Sequence, residues 1–244
     1  MRVRIRTFLP GRAQPSPPEA GEVHLWLAAL DQPPEAREWL GGLLSAEERE
    51  RAGRYRVARV RDQFVAGRGL LRLLLAGCLG ADPREIPIVY EPNGKPVLGP
   101  GESLQFNLSH SEGRALIAIG RGGRVGVDLE RVRPLANIDV LVERFFSPRE
   151  RAAYRRLPEA LREAAFFHGW TRKEAILKAR GMSVQCLDQF DVSLRPDEPA
   201  RLLAWEGEPE APARWSLWSG ELGENFVGAL AVEAPAGAPQ VEWE

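Results

Sequence analysis

The sequence predicts an α+β protein built from two similar lobes. Each half of the chain contains a strand, then helices, then further strands, although no residue-level repeat is visible. The 244 residues include 44% hydrophobic side chains, enough to form a sizeable core. Gly122-Gly123 separates the halves and is predicted to form a tight hairpin turn between two strands. A cleft between two such lobes is a natural place for a ligand to bind.

The first half begins with a segment whose side chains alternate between two faces. This segment, residues 22–30, is predicted to be a strand. Ser45-Ala-Glu-Glu48 matches a capping box, so a helix is expected to begin near Ser45. Apolar residues at helical spacing predict a long amphipathic helix over residues 54–79. Three strands are expected to follow, over residues 86–90, 103–109 and 114–120.

The second half repeats this order of elements. A strand is predicted over residues 124–130. Ser147-Pro-Arg-Glu150 matches a second capping box, with proline at the first helical position. Helices are therefore predicted over residues 148–156 and 158–180. Four more strands are expected, over residues 190–194, 201–205, 215–218 and 226–232.

The domain boundaries follow from these elements and from local composition. We expect a flexible Pro/Gly-rich lead-in over residues 1–21 and a loose Ala/Pro/Gly-rich tail over residues 234–244. The first lobe would then cover residues 22–122, and the second lobe residues 123–233.

The composition argues against several classes of protein. A formal net charge of -1 provides no basic field for nucleic acid. Two cysteines and three histidines indicate neither a disulfide framework nor a Cys/His zinc site. The longest apolar run, residues 70–79, contains Arg72, and the N-terminus lacks the apolar stretch of a signal peptide. We therefore expect a soluble cytoplasmic protein.

The chain is poor in lysine. Only three of its 33 basic residues are lysines, namely Lys95, Lys173 and Lys178. A GC-rich coding bias accounts for the arginines, because it replaces surface lysines at little cost. It leaves open why these three lysines are present.

Two carboxylates share one face of the predicted strand over residues 124–130. Side chains two apart in a strand point the same way, so Asp128 and Glu130 lie together while Val127 and Leu129 point into the core. Two neighbouring carboxylates repel each other unless a cation lies between them. A solvent-facing strand end, or ion pairs with nearby arginines, would also explain the pair, and metal binding is an equal alternative.

A third carboxylate lies on the predicted helix over residues 158–180. Trp170, Glu174 and Lys178 follow one another at four-residue spacing and therefore share a face. Taken alone, Glu174 and Lys178 could be an ordinary surface ion pair, worth roughly 0.3–0.5 kcal/mol. If Glu174 joins Asp128 and Glu130, three hard oxygen ligands with open positions suit Mg²⁺, which also accepts phosphate oxygens.

Two further segments carry groups that can bind phosphate. Ser109 and His110 lie at a predicted strand end, where adjacent side chains point to opposite faces and are badly placed to activate each other. Phosphate binding by the hydroxyl and the imidazolium is one role, and closing a strand with a polar residue is the other. Asn93-Gly94 predicts a turn that projects Lys95 outward, which alone is weak evidence for a phosphate cradle.

The motifs, taken together, resemble the Sfp/surfactin-type 4'-phosphopantetheinyl transferase superfamily. Their order and spacing fit that family over about residues 43–192, and five motifs in order leave little room for chance. They are Gly-Lys-Pro at 94–96, Phe-Asn-Leu-Ser-His-Ser at 106–111, Gly-Val-Asp-Leu-Glu at 126–130, Arg-Phe-Phe-Ser at 144–147 and Trp-x-x-Lys-Glu-Ala-x-x-Lys at 170–178.

The resemblance implies a pseudo-dimer of two α+β lobes with coenzyme A (CoA) in the cleft between them. Asp128, Glu130 and Glu174 match the Mg²⁺-site positions, and Lys178 matches the lysine near the scissile phosphate. The first lobe would bind the 3'-phosphate and adenosine end of CoA, and the second would carry the metal and the catalytic helix. The residues that match CoA contacts are Arg51, Gly94, Lys95, Pro96, Ser109 and His110.

The sequence departs from the family pattern at three places. Glu48 lies one helical turn before Arg51, where some members have a basic residue, and Phe64 replaces a threonine that can contact CoA. The segment after Lys178 contains one glycine, Gly181, where the family often has two. It is a residue shorter, so this loop could pack differently.

The resemblance also implies a reaction and its partners. A serine hydroxyl of an apo acyl or peptidyl carrier protein attacks the β-phosphate of CoA with the help of Mg²⁺ and releases 3',5'-ADP. Glu174 is expected to remove the serine proton, directly or through a metal-bound water, and Lys178 to stabilise or protonate the leaving group. The two-lobe layout favours the monomeric branch of the family. A Mg²⁺-dependent CoA pyrophosphohydrolase and a non-catalytic CoA-binding module are the alternatives.

Overall fold

A computed structural model describes residues 1–8, 15–234 and 239–243, which form an α+β fold of two lobes. The first lobe contains β1 (Arg2–Thr7), β2 (Glu22–Ala29), α1 (Pro34–Gly41), α2 (Ala46–Gly53), α3 (Ala58–Leu79), β3 (Ile88–Tyr90), β4 (Pro96–Leu98), β5 (Leu104–Ser111) and β6 (Arg114–Arg121). The second lobe contains β7 (Val125–Arg131), α4 (Ile138–Phe145), α5 (Pro148–Arg155), α6 (Glu159–Arg180), β8 (Phe190–Val192), β9 (Leu202–Trp205), α7 (Ala211–Arg214), β10 (Trp215–Glu221) and β11 (Phe226–Glu233). A last strand, β12 (Gln240–Trp243), returns to the first lobe.

Two main sheets form the centre of the molecule. The first has the strand order β12-β1-β2-β6-β5, and the second has the order β10-β11-β7. Strand β1 pairs in parallel with both β2 and β12, whereas the other pairs are antiparallel. Each lobe has its own hydrophobic core, and a third buried cluster joins the two sheets. That joining cluster includes Val3, Leu25, Leu116, Val127 and Leu230.

The prediction of two similar lobes is confirmed by the order of elements and by the helices. Both lobes run from a strand through two short helices to a 22-residue helix, which is α3 in the first lobe and α6 in the second. Each long helix ends at a glycine in the left-handed conformation, Gly80 with φ of 66° and Gly181 with φ of 69°. Glycine adopts this cap without the steric cost of a Cβ atom.

The prediction of a hairpin at Gly122-Gly123 is wrong. Strands β6 and β7 belong to different sheets and do not pair with each other. The two glycines instead connect the lobes where the chain passes close to another strand. A Cβ atom on Gly123 would lie 1.8 Å from the carbonyl oxygen of Glu233, so only glycine fits there.

The predictions of a flexible lead-in and a loose tail are also wrong at residues 2–7 and 240–243, which form strands. Val3 and Ile5 alternate with arginines and are buried, so residues 2–7 form a strand in the first sheet. Residues 240–243 pair with that strand and extend the sheet. Positions 9–14, 235–238 and 244 lie outside the described residues.

Most other predicted elements are confirmed, with shifted ends. Both capping boxes form, so α2 and α5 begin where the sequence indicates. Helix α3 begins at Ala58 rather than Arg54, because α2 ends at Gly53 and a turn separates the two helices. Helices α1 and α4 and the short strand β4 were not predicted. No helix among the described residues is long and apolar enough to cross a membrane.

Candidate active site

The candidate site lies where the two sheets meet along β5 and β7. These strands are the edge strands of different sheets, and side chains of β5 take the place of a backbone ladder. Backbone N–H groups of β7 donate to alternate side chains of β5. The pairs are Val127 N to Asn107 Oδ1 at 2.9 Å, Leu129 N to Ser109 Oγ at 3.3 Å and Arg131 N to Ser111 Oγ at 3.2 Å. The Phe-Asn-Leu-Ser-His-Ser motif therefore joins the lobes.

Asp128 and Glu130 share a face of β7, as the alternation predicts. Asp128 is 3% exposed, and its Oδ1 accepts a hydrogen bond from Ser109 Oγ at 2.9 Å. Glu130 Oε2 accepts a hydrogen bond from Ser111 Oγ at 3.1 Å. The second carboxylate oxygen of Asp128, Oδ2, is buried without a hydrogen-bond partner among the described residues. A buried acceptor in this state is costly, and a bound cation would satisfy it.

Helix α6 brings Glu174 and Lys178 to β7 because a glycine allows close approach. A Cβ atom on Gly126 would lie 2.1 Å from the carbonyl oxygen of Ala175, so a larger residue would push the helix away. In this position Lys178 Nζ lies 2.5 Å from Asp128 Oδ1 and 2.9 Å from Ser109 Oγ. The structure thus brings Ser109, Asp128 and Lys178 into direct contact.

The electrostatics of the site favour a cation. Desolvation, and then the charge of Asp128, raise the pKa of Glu130 above its usual value. Desolvation also raises the pKa of Glu174, with Asp128 adding to the shift and Lys178 opposing it. Both raised pKa values mean that the ionised form of the glutamate is unfavourable at its position unless a positive charge lies nearby. Lys178 supplies one such charge to Asp128.

No three His, Cys, Asp or Glu side chains among the described residues are gathered into a metal-binding cluster. The donors nevertheless fit a hard divalent cation on two grounds. Asp128 Oδ2 lacks a partner, and the pKa values of Glu130 and Glu174 are raised by burial and by Asp128. Carboxylate oxygens are the ligands that Mg²⁺ prefers.

His110 follows Ser109 on β5 and lies on the opposite face, as predicted for adjacent residues of a strand. Ser109 is buried, whereas His110 is exposed near the end of β5. Desolvation and the charge of Lys178 lower the pKa of His110. The imidazole is therefore more often neutral at pH 7 than a free histidine, and an anion beside it would favour its charged form.

The prediction that the turn projects Lys95 outward is wrong. The turn forms at Gly94, with φ of 84°, but the side chain of Lys95 is only 8% exposed. Its Nζ donates to the carbonyl oxygens of Ala179 and Val125, at 2.7 and 3.2 Å. The lysine points inward because these two carbonyls accept hydrogen bonds from its ammonium group.

A cavity of about 450 Å³ lies between this turn and the end of α6. It lies between the two lobes, beside the contact of Lys178 with Asp128. Its lining residues include Gly94, Lys95, Pro96, Leu108, Lys178 and Met182.

Arg51 lies on α2 beside the aromatic ring of Phe64. Its guanidinium is 5.3 Å from the ring centroid, and Arg68 approaches the same ring at 5.7 Å. The side chains of Tyr55 and Tyr90 interact with the guanidinium of Arg51, and among the described residues no carboxylate forms an ion pair with it, so its charge is available to an anion. Phe64, a departure from the family pattern, thus positions two arginines.

Glu48, the other departure near Arg51, is part of the scaffold. It is 4% exposed, completes the capping box of α2 and contacts Arg72 Nε at 2.6 Å. The second lobe has the same arrangement, in which Glu150 of the α5 capping box contacts Lys173 Nζ at 2.6 Å. Glu48 therefore does not face a ligand.

Sequence reasoning missed two groups of residues that support the site. It gave no role to Asn107 and Ser111, although their two-residue spacing with Ser109 indicates one shared face. It also gave no role to Lys173, which is fully buried and bound to Glu150. The two capping boxes, each with a glutamate at the same position, were the signal for this buried pair.

The segment after Lys178 packs without the second glycine of the family pattern. Helix α6 ends at Gly181, and Met182 N donates to Leu177 O at 2.9 Å to close the cap. A Cβ atom on Gly181 would lie 2.1 Å from Asn93 Nδ2, so the turn before Lys95 packs directly on this cap. A 3₁₀ helix, Val184–Gln189, follows.

Two family models match adjacent parts of the chain. Residues 33–120 match a model described as 4'-phosphopantetheinyl transferase, N-terminal, and residues 124–231 match the 4'-phosphopantetheinyl transferase superfamily. The first match covers α1 to β6, and the second runs from the start of β7 into β11. The two matches together include every residue of the candidate site.

Curated proteins show the same similarity over most of the chain. The 4'-phosphopantetheinyl transferase HetI of Nostoc sp. is 44% identical over 195 residues, which are 77% of this chain and 82% of that protein. The 4'-phosphopantetheinyl transferase psf-1 of Bacillus pumilus is 33% identical over 84% of this chain and 85% of its own length. A 4'-phosphopantetheinyl transferase of Bacillus subtilis is 32% identical over 63% of this chain and 68% of its own length. On this evidence the chain belongs to the 4'-phosphopantetheinyl transferase superfamily.

Proposed function

We propose that this protein transfers the 4'-phosphopantetheine arm of CoA to a serine of an apo acyl or peptidyl carrier protein. The products are the holo-carrier and 3',5'-ADP, as for a holo-[acyl-carrier-protein] synthase. One observation carries the proposal, namely the contact of Lys178 with Asp128 beside Glu130 and Glu174. This arrangement combines an ammonium donor with carboxylates that need a cation, which is what a reaction on a pyrophosphate requires.

Asp128, Glu130 and Glu174 would hold Mg²⁺ in this proposal. The unpartnered Oδ2 of Asp128 and the raised pKa values of the two glutamates support these assignments. When bound, the ion would offset the charge that develops on the phosphate oxygens during transfer. Mg²⁺ suits the site because it keeps open positions for phosphate oxygens and water.

Glu174 is the proposed general base. A base must lie within reach of the reacting groups, and Glu174 lies close enough to Asp128 and Lys178 for their charges to act on it. It would accept the proton of the carrier serine, directly or through a water molecule. The serine oxygen then attacks the β-phosphate, so no covalent intermediate with the enzyme is needed.

Lys178 is the proposed partner of the leaving group. Its Nζ already contacts Asp128 and Ser109, and about a third of its side chain is exposed to the cleft. A compact ammonium can donate hydrogen bonds to the leaving phosphate and can give up a proton to it. Lys178 would therefore stabilise 3',5'-ADP as the bond to the arm breaks.

The other predicted CoA contacts would bind the phosphate and adenosine parts of CoA. Gly94 and Pro96 line the cavity beside Lys178, and His110 is exposed at the end of β5. Arg51 offers a guanidinium without a carboxylate partner among the described residues, which suits the 3'-phosphate. Ser109 is buried against Asp128, so its part in phosphate binding would be to position Lys178.

The proposal is tested by mass spectrometry of a panel of apo carrier proteins incubated with CoA, Mg²⁺ and this protein. A gain of about 340 Da on the serine, the covalent mass of the arm, is expected. The panel ranks fatty-acid, polyketide, peptide-synthetase and lysine-pathway carriers as partners. No gain on any carrier would contradict the proposal.

The same reactants separate the two alternatives. A CoA pyrophosphohydrolase would release 3',5'-ADP from CoA alone, without a carrier. A non-catalytic module would bind CoA and release nothing, and its binding would tolerate Glu174→Gln. The predicted monomeric state and cytoplasmic location belong to the same proposal, and sedimentation of the purified protein tests the first of them.

A further inference from the structure

Lys95 connects three elements that meet beside the candidate site. It belongs to the turn between β3 and β4 in the first lobe, and both of its hydrogen-bond acceptors belong to the second lobe. Ala179 O lies in the last turn of α6, directly after Lys178. Val125 O lies at the start of β7, three residues before Asp128. The lysine therefore ties together the two elements that carry Lys178 and Asp128.

The side chain of Lys95 is buried where it contacts the two carbonyl oxygens. The side chain is 8% exposed, and desolvation lowers its pKa to about 8. A buried ammonium needs hydrogen-bond acceptors, and two carbonyl oxygens at 2.7 and 3.2 Å accept two of its three hydrogens. It also supplies positive charge at the C-terminus of α6, where the helix dipole favours a cation.

The surroundings leave little freedom for α6 to find another position. The turn that carries Lys95 packs against Gly181, where a Cβ atom would lie 2.1 Å from Asn93 Nδ2. On the opposite side, α6 approaches β7 so closely at Gly126 that a Cβ atom would lie 2.3 Å from Ala179 N. Lys95 thus adds hydrogen bonds to a contact between the lobes in which Gly126 and Gly181 are already closely packed.

We propose that Lys95 is a positioning residue that holds the last turn of α6 against β7 and thereby keeps Lys178 in contact with Asp128. Its side chain acts through α6 and does not bind CoA. The inference rests on the proposed function, because turnover is measured as transfer from CoA. It also gives a reason for a lysine at this position, since an ammonium is a compact donor and a guanidinium is planar and needs more room.

The test compares Lys95→Met with the wild-type protein. Methionine keeps an unbranched stem and removes the donors. We expect kcat to fall by roughly 10²-fold, the loss that a displacement of about 1 Å can cause, while the KM for CoA changes less than about twofold. Hydrogen exchange of the amides in residues 174–183 should become about tenfold faster, with α3 unchanged. Lys95→Arg should lose turnover similarly.

Arg124→Met is the matched control. Arg124 also donates to a carbonyl at the end of α6, Arg180 O at 3.2 Å, but it is exposed. Its removal takes a cation from the same helix end without breaking the contact between the lobes. We therefore expect Arg124→Met to keep kcat within about twofold. Equal losses in both variants would show that helix-end charge alone matters and would overturn the proposal.

Two further outcomes would also overturn it. A rise in the KM for CoA with kcat preserved would make Lys95 a phosphate contact, and unchanged exchange in residues 174–183 would show that α6 does not depend on it. If Lys95→Met does not fold, Lys95→Gln retains one donor group and must show an intermediate loss of both kcat and protection. If the wild-type protein itself transfers nothing, the proposed function fails, while the exchange experiment still tests the role of Lys95.

Discussion

The two long helices, α3 and α6, share a scaffold and differ at the positions that carry chemistry. Position 15 of each 22-residue helix is a buried cation bound to the capping-box glutamate, Arg72 in α3 and Lys173 in α6. Positions 16 and 20 are Glu174 and Lys178 in α6. In α3 they are a leucine and a glycine, Leu73 and Gly77.

The first strands of the lobes differ in the same way. Strands β2 and β7 can be aligned by the side chains that each contributes to the cluster between the two sheets. In this alignment Trp26 corresponds to Asp128, and Ala28 corresponds to Glu130. Trp26 and Ala28 pack in the core of the first lobe. The position of Gly77 is covered by Pro15, whose Cδ would lie 2.6 Å from a Cβ atom there. One lobe therefore uses this surface for packing and the other for a reaction.

This difference shows that the residues that stabilise each long helix are distinct from the residues proposed to carry out the reaction. Buried glutamate–cation pairs fix the long helix in both lobes, and only the second lobe adds carboxylates and a lysine at the inter-lobe surface. Five predictions test this separation, from the largest expected effect to the smallest.

Asp128→Asn should abolish most activity without unfolding the protein. The change removes the negative charge that a bound cation and Lys178 Nζ would both face, so we expect a loss of roughly 10³-fold in kcat/KM. The pKa of Glu174 should also fall, because Asp128 contributes to its rise. Transfer rates at limiting Mg²⁺ measure the loss of activity, their pH dependence measures the fall in this pKa, and circular dichroism shows whether the protein stays folded. Near wild-type rates would refute the metal assignment.

Glu48→Gln and Glu150→Gln should each destabilise the fold. Each substitution leaves a buried cation, Arg72 or Lys173, without its carboxylate partner, which costs about 3–5 kcal/mol. Urea unfolding measures the free energy of unfolding of both variants. The double variant Glu150→Gln/Lys173→Met should be no less stable than Glu150→Gln, because no lone charge is then buried. A loss below about 1 kcal/mol in either lobe would show that the pair is not part of the scaffold.

Lys178→Arg should bind CoA nearly as well as the wild-type protein but turn over more slowly. A guanidinium stays charged and needs more room than an ammonium beside Asp128 and Ser109. We expect kcat to fall by about 10²-fold, the low end for acid–base catalysis. Steady-state kinetics with titration calorimetry of CoA separate binding from turnover. Unchanged turnover would show that Lys178 contributes only its positive charge and no proton transfer.

His110→Ala should reduce the preference for CoA over 3'-dephospho-CoA. A charge-assisted hydrogen bond to phosphate is worth roughly 1.5–3 kcal/mol, so the ratio of kcat/KM values should shrink at least tenfold. The preference of the wild-type protein should grow as the pH falls, because the lowered pKa of His110 leaves it mostly neutral at pH 7. Arg51→Ala is the companion variant. If both variants discriminate as the wild type does, the 3'-phosphate binds elsewhere.

His168 on α6 should make the second lobe sensitive to acid. Burial, and then the charge of Arg172, lower its pKa to about 4. Below pH 6.5, the approximate pKa of a histidine in the unfolded chain, the unfolded state therefore binds a proton that His168 in the folded state does not. The free energy of unfolding decreases for this reason as the pH falls from about 6.5 towards 4. Between pH 7 and pH 5, His168→Gln should lose about 2 kcal/mol less free energy of unfolding than the wild type. Equal losses in urea titrations would show that His168 is protonated in the folded state.

Much of the fold could be predicted because local rules determine it. The capping boxes at Ser45 and Ser147 and the alternation of β7 each depend on neighbouring residues, and the structure confirms them. The hairpin at Gly122-Gly123 was wrong because turn residues do not reveal which sheet a strand joins. Strand β12 was missed because its partner, β1, lies at the other end of the chain.

The candidate site was predicted unevenly for the same reason. The shared face of Asp128 and Glu130 follows from the period of a strand, and the structure places Lys178 against Asp128. The inward direction of Lys95 could not be predicted, because its acceptors are 30 and 84 residues away in sequence. The two carbonyls that accept its hydrogen bonds come close to the lysine only when the two lobes are assembled.

The most direct test of a carrier-dependent transferase is the stoichiometry of its two products. CoA, Mg²⁺ and an apo carrier are incubated with the wild-type protein, and 3',5'-ADP and holo-carrier are quantified in the same reaction. We expect equal molar amounts of both, no 3',5'-ADP without the carrier, and neither product with Glu174→Gln. Release of 3',5'-ADP from CoA alone, or full activity of Glu174→Gln, would contradict the account.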